Sequence, residues 1–295
     1  MKKLETILVV LDKPKHAQTA LARAKDLAKA AGARLHLVSF TWLAMAEEKD
    51  IFDAHQRRAM KKAVVDERKT WVRQLVLDNK LAAADVTTEV VWTDDIAGWV
   101  RDRVADGKTD LVMKSVHHSK TLTHTPLDWE LLRQCSAPLL LVSTKRRRPT
   151  GNVLATLDLR NADRKHQVMN LRVLDAAQRF ADMAGGKMHC VSAVEFSVVL
   201  RDLDIIDVRR KQKEARQKSA DLLQALLEPY NVPKARIHMP AGKVGHVVAG
   251  TARKINADLM VVGSSAHRKL GEALLGSSAE KILSRAPCDV LAVHP

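Results

Sequence analysis

The stretch Glu5-Thr6-Ile7-Leu8-Val9-Val10-Leu11-Asp12 returns later in the chain as Gly151-Asn152-Val153-Leu154-Ala155-Thr156-Leu157-Asp158. Further pairs follow in the same order. Arg34-Leu35-His36-Leu37-Val38-Ser39 matches Lys187-Met188-His189-Cys190-Val191-Ser192, and Thr109-Asp110-Leu111-Val112-Met113 matches Ala257-Asp258-Leu259-Met260-Val261. Near the two ends, Ala137-Pro138-Leu139-Leu140-Leu141-Val142 echoes Cys288-Asp289-Val290-Leu291-Ala292-Val293. The offset is 146 residues from Asp12 to Asp158 and 148 from Asp110 to Asp258, so one domain is written twice nearly in register. Between the copies lies Lys145-Arg146-Arg147-Arg148-Pro149-Thr150-Gly151, a charged run closed by Pro and Gly that reads as a linker. The expected domains are residues 1–146 and 150–295.

Two periodicities alternate within each copy. Short runs rich in Val, Leu and Ile predict buried strands at 5–11, 34–40, 86–92, 109–114 and 138–143, then at 152–158, 187–193, 235–239, 257–262 and 289–293. Helical spacing lies between them, as in Ala20, Ala24, Leu27, Ala28 and Ala31. Strands separated by helical crossovers are parallel, and continuously apolar strands imply a sheet covered on both faces. Each copy is therefore expected to be a doubly wound α/β domain with a five-stranded parallel sheet. Its second helical region is long, about 50–79 and 198–228, with a charged face that includes Arg209-Arg210-Lys211-Gln212-Lys213.

Composition narrows the function. The chain has 295 residues, with 49 Lys+Arg against 34 Asp+Glu, a formal charge of +15. The hydrophobic fraction of 46% excludes a disordered chain. The excess is even, +8 over residues 1–148 and +7 over 149–295, which suits attraction to anions or simple solubility. No apolar run reaches the roughly 18–20 residues of a membrane span, and Ile7–Leu11 ends at Asp12 without forming a signal core. Cys135, Cys190 and Cys288 are far apart and lack CxxC spacing, so reduced thiols in the cytoplasm are expected.

Ligands of open parallel sheets bind beyond the carboxyl ends of the strands. In the second copy, Leu259-Met260-Val261-Val262 runs into Gly263-Ser264-Ser265-Ala266-His267-Arg268, and Gly276-Ser277-Ser278-Ala279-Glu280-Lys281 starts a helix. Glycines, hydroxyls and the free N–H groups of a helix start make a phosphate cradle. Gly263, Gly276-Ser277 and the tail Ala286-Pro287-Cys288-Asp289-Val290-Leu291 resemble the end of a universal stress protein domain, whose nucleotide motif is G-x2-G-x9-G-[ST]. The two-domain build and Thr125-Pro126-Leu127-Asp128-Trp129-Glu130-Leu131-Leu132-Arg133 resemble the E-type tandem universal stress proteins of bacteria.

The resemblance implies an adenine nucleotide, ATP with Mg²⁺ or a related phosphate-bearing ligand. Asp158 would sit at the ribose, Ala193 or Val194 near adenine, and Gly276 and Ser277 at the phosphates, with Gly263, Ser264, Ala266 and Ser278 completing the loop. It also implies a stress-response protein that works by binding. Ala266 replaces the second glycine of the motif, and His267 stands where the family often has Arg. The first copy departs further. It has no glycine between Gly107 and Gly151, so Asp12 remains without a cradle, and nucleotide binding is expected only in the second copy.

Structural alternatives stand beside each residue. Ser277 and Glu280 fit a capping box, Asp158 fits a turn cap, and Gly263 fits a tight turn. Trp92, Trp99 and Trp129 fit core packing, and His117, His118 and His124 lack the spacing of a zinc site. No G-x-S-x-G, P-loop or HExxH occurs, so no catalytic residue is assigned and any ATPase activity would be slow. The rival readings are a basic nucleic-acid or polyanion binder, a slow nucleotide hydrolase, and a binder of a lipid-like or UDP-like ligand. The two copies are expected to pair within the chain as a pseudo-dimer, with homodimerisation open.

Overall fold

The computed structural model describes residues 3–116, 126–145, 149–160, 163–195, 207–264, 267–269, 272–274 and 277–294, excepting the side chains of 208, 267–269, 272–274 and 277. The first repeat runs β1 (Thr6–Val10), α1 (Thr19–Ala31), β2 (Arg34–Thr41), α2 (Ala54–Asp78), β3 (Val86–Trp92), α3 (Ile96–Ala105), β4 (Leu111–Val116), α4 (Pro126–Gln134) and β5 (Leu139–Ser143). The second runs β6 (Val153–Thr156), α5 (Arg164–Met183), β7 (Met188–Val191), α6 (Val208–Lys218), α7 (Ala220–Leu227) and β8 (Ile237–His238). It ends with α8 (Val244–Lys254), β9 (Leu259–Gly263), β10 (His267–Lys269), β11 (Glu272–Leu274), α9 (Ser277–Leu283) and β12 (Asp289–Val293).

Contacts gather the chain into two units, residues 2–115 with 134–137 and residues 116–133 with 138–295. In the smaller unit the strand order is β3-β2-β1-β4, all parallel. In the larger it is β12-β9-β6-β7-β8, again parallel, and β5 adds to β12 in the antiparallel sense, with Leu291 opposite Leu140. This pairing explains why β5 groups with the second repeat although it closes the first in sequence. In both repeats the first strand lies between the second and the fourth, so the strand order reverses there. That is where ligands bind in doubly wound sheets.

The central strands are continuously buried, as two-sided coverage requires: Ile7, Leu8, Val9 and Val10 in β1, and Leu259, Met260, Val261 and Val262 in β9. The sheets are flanked by helices; α5 packs on β6 and β9. A repeated polar clamp sets the register. Asp110 Oδ2 accepts the backbone N–H groups of Glu5 and Thr6 at 2.9 Å each. Its counterpart Asp258 accepts those of Thr150 (2.7 Å) and Gly151 (2.6 Å). Each Asp ties the entry of its repeat's first strand to the entry of the fourth. At the second of these entries Gly151 has φ +73°, and its carbonyl lies where a side chain on Gly186 would be.

The long helical region 198–228 departs from the sequence reading. Its described part is two helices, α6 and α7, with Ser219 between them, while residues 198–206 lie outside the described set. The nine-residue spacer after Ala266 contains the antiparallel pair β10–β11, with His267 opposite Leu274.

Candidate functional site

The carboxyl edge of the second repeat begins just past β6. Leu157 N–H continues the β6–β7 pairing to Val191 O at 2.8 Å, and Asp158 follows at the rim. Asn170, buried in α5, fixes the Asp158 main chain from both sides. Asp158 N–H donates to Asn170 Oδ1 (3.0 Å), and Asn170 Nδ2 donates to Asp158 O (2.8 Å). The first repeat uses the same device. Asp12 N–H donates to Gln18 Oε1 (3.0 Å), and Gln18 Nε2 returns a bond to Asp12 O (3.3 Å). A side-chain amide offers both a donor and an acceptor and so can close both main-chain groups of one residue.

The Asp158 carboxylate faces a chain of charges. Its Oδ1 accepts Arg160 N–H at 3.0 Å, the turn expected of an Asp at this place, and Arg160 Nε at 3.2 Å. Arg160 Nη1 lies 2.5 Å from Glu195 Oε2. Glu195 Oε1 accepts the N–H of Val244, the first residue of α8, at 3.1 Å. The network thus crosses the ends of β6, β7 and β8. His166 Nε2 is 4.0 Å from Asp158 Oδ2, and its Nδ1 is 2.7 Å from Asp163 Oδ2. The backbone N–H and ring of His166 hold the Asp163 carboxyl below its ordinary range.

Ala193 is half-buried beyond β7, between Ser192, whose N–H donates to His238 O (3.0 Å), and Val194, whose N–H donates to Pro240 O (2.9 Å). Gly263 ends β9. A Cβ there would stand 2.6 Å from Met169 Cγ, so the glycine makes room for α5. Ser264 is buried, its N–H donates to Val293 O (2.8 Å), and its Oγ has no hydrogen-bond partner among the described residues. His294, beside Ser264 by extension of the Val293–Gly263 register, likewise has a buried Nε2 without a partner there. Burial pushes the His294 imidazole down to about 4.

Ser277 and Ser278 are the first two residues of α9, and Ser278 is half-buried. Ala266 and Gly276 lie outside the described residues, as do the Ser277 side chain with its expected capping bond and the cluster His117, His118 and His124. The structure therefore brings Asp158, Ala193, Gly263 and Ser264 to one sheet edge. Arg160, Glu195 and Asn170 were missed in the sequence, although Arg160 is only two residues from Asp158.

The first repeat closes the equivalent edge. Val9 pairs with Met113 as Ala155 pairs with Val261, so Ser115 occupies the position of Gly263. Ser115 Oγ donates to Asp12 Oδ2 at 2.5 Å and accepts the Ala20 N–H of α1 at 2.9 Å. Lys114, also buried, donates from Nζ to Ser115 O at 3.0 Å. Asp12 is only 7% exposed, turned into the protein.

Two parallel-sheet repeats, each with an aspartate pinned just past its first strand, define a tandem doubly wound α/β class of protein. The chain matches the universal stress protein family over residues 3–143 and again over 166–294, and it belongs to that family. It is similar over its whole length to "Universal stress protein E" of Photorhabdus laumondii, with 26% identity covering 100% of this chain and 96% of the relative. "Universal stress protein A homolog 1" of Coxiella burnetii is 34% identical over 148 residues, covering 48% of this chain and 94% of that one, as expected of a relative with a single repeat. Among solved structures, a putative universal stress protein from Pseudomonas aeruginosa UCBPP-PA14 has a TM-score of 0.73 at 24% identity, covering 99% of this chain and 94% of that chain.

Proposed function

We propose that the second repeat binds ATP, with Mg²⁺, or a related phosphate-bearing ligand, and that the protein is a cytoplasmic stress-response regulator that acts through this occupancy and not through dedicated catalysis. The supporting observation is the edge built around Asp158. Its main chain is locked by Asn170, its carboxylate is only partly enclosed, and an unpartnered buried hydroxyl, Ser264 Oγ, stands at the end of β9. A carboxylate accepts a sugar's hydroxyls, and an unmatched buried hydroxyl is stabilised by a partner that a ligand can supply.

The remaining motif residues, Gly276, Ser277, Ser278 and Ala266, would hold the phosphates. The first repeat would not bind nucleotide in this manner, because Ser115 engages Asp12. The domains would divide at 1–146 and 150–295, and the two repeats would pair within one chain. No described helix is long and apolar enough to cross a membrane.

Calorimetric titration with ATP and Mg²⁺, after native mass spectrometry of the purified chain, tests this reading. One nucleotide per chain is expected, lost in Gly276→Asp with unchanged circular dichroism. Absence of binding, or binding untouched by that substitution, refutes it.

A further inference from the structure

We propose that Arg160 is the specificity-determining residue of this edge: an internal cation that competes with a ligand's hydroxyls for Asp158 and is released to a ligand's phosphates. The inference rests on the nucleotide reading above and deepens it. Asp158 Oδ1 receives two bonds from one residue, Arg160 N–H and Arg160 Nε. The same guanidinium reaches Glu195, which the Val244 N–H holds from the other side. Arginine stays protonated at any working pH and its planar fork bridges two carboxylates, so titration cannot remove the occupant.

Displacement can. The Arg160 side chain is 46% exposed and can swing into water without disturbing the core. With Arg160 in place, two carboxylates share one guanidinium. A ligand whose hydroxyls take Asp158 Oδ1 displaces the Arg160 guanidinium and leaves the cation without a new partner. A ligand that also carries phosphates offers the released guanidinium a bidentate partner. The edge therefore favours phosphorylated over unphosphorylated nucleosides.

The test compares adenosine with ATP and Mg²⁺ on the full chain and on Arg160→Gln, with Arg160→Lys as the conservative variant. Half-exposed ion pairs contribute about 0.2–1 kcal/mol, which corresponds to a change of up to about fivefold. Arg160→Gln is expected to tighten adenosine about two- to fivefold and to weaken ATP by a similar factor, with Arg160→Lys between the two. Added salt, which screens the internal pairs, is expected to strengthen adenosine binding in the unmodified chain and to leave it flat in Arg160→Gln. Opposite shifts for the two ligands cannot come from general damage to the fold. ATP binding with adenosine affinity unchanged, or both affinities falling together, overturns the role of Arg160 and leaves the nucleotide reading standing. ATP bound by neither form refutes the nucleotide reading, and the competition with it.

Discussion

Replacing His294 with leucine is expected to flatten the acid limb of the stability curve. His294 follows β12, is 9% exposed, and has a buried Nε2 with no partner among the described residues. Burial lowers its folded pKa from 6.5 to about 4. Between these values the unfolded chain binds a proton at this residue that the folded chain refuses, so stability rises with pH across the window. The contribution is complete above 6.5 and is lost as the pH falls towards 4. One pKa unit corresponds to about 1.4 kcal/mol, so the loss is about 2 kcal/mol at pH 5 and about 3 kcal/mol at pH 4. The assay is urea unfolding by far-ultraviolet circular dichroism at pH 7, 5 and 4, on the unmodified chain and on His294→Leu. Carboxylates titrate equally in both proteins and cancel in the difference. The unmodified chain should lose about 2 kcal/mol more than the variant between pH 7 and pH 5. Parallel pH profiles would refute the reasoning, because they would mean that the protonated imidazole finds a partner or water inside the folded protein.

Three further substitutions test the frame that holds the site. Asp258→Asn keeps the shape but replaces charged acceptors of the Thr150 and Gly151 N–H groups by a neutral one; a loss of about 1–2 kcal/mol in chemical denaturation is expected, and a neutral result would show the clamp to be incidental. Gly186→Ala places a methyl into the Gly151 carbonyl, backbone against backbone, and should cost about 1–3 kcal/mol or more, whereas Gly263→Ala crowds the flexible Met169 side chain, with Val173 at ordinary contact distance, and should cost distinctly less; equal thermal shifts would overturn this ordering.

The strands were legible because apolar runs buried on both faces need no knowledge of their neighbours. The reading 289–293 coincides with the buried β12, whereas 86–92 coincides with β3 although Thr87 and Thr88 there are exposed. The weakest strand lost the largest share of its expected length. Residues 235–239 form only Ile237–His238, because the backbone at 234–236 takes a 3-10 turn after Pro233 and Pro240 lies just beyond, each proline lacking an N–H for the ladder. Asp158 was legible from its place after a buried strand and from its twin, Asp12. Its partners were not. Asn170 lies 12 residues away on a helix and Glu195 lies 37 away after another strand, and neither belongs to a local motif. Arg160 was close enough to see, but a charged residue after a strand end is ordinary, and only the positions of two carboxylates make it a bridge. The structural role of Asp110 and Asp258 was hidden for the opposite reason. Their recurrence was plain, yet a repeated Asp at a sheet entry reads equally as a turn residue until its carboxylate is seen to collect two N–H groups.

The two repeats meet one electrostatic demand in opposite ways. A carboxylate at the rim of a parallel sheet needs donors, since burying it unpaired is costly. In the first repeat the donor comes from within: Ser115, at the end of β4, gives its hydroxyl to Asp12 and takes the Ala20 N–H in return. Withdrawing that hydroxyl would strand the Ala20 N–H at the start of α1. In the second repeat the same position is Gly263, and Met169 of α5 fills the space a side chain would take. No inner donor is available from that position, so the bridge is supplied from the rim, by a half-exposed arginine two residues along the chain. An inner hydroxyl is part of the packing, whereas a rim guanidinium can leave. At this one position of the fourth strand, Ser115 places the aspartate's donor inside the packing, whereas with Gly263 the aspartate draws on Arg160 at the rim.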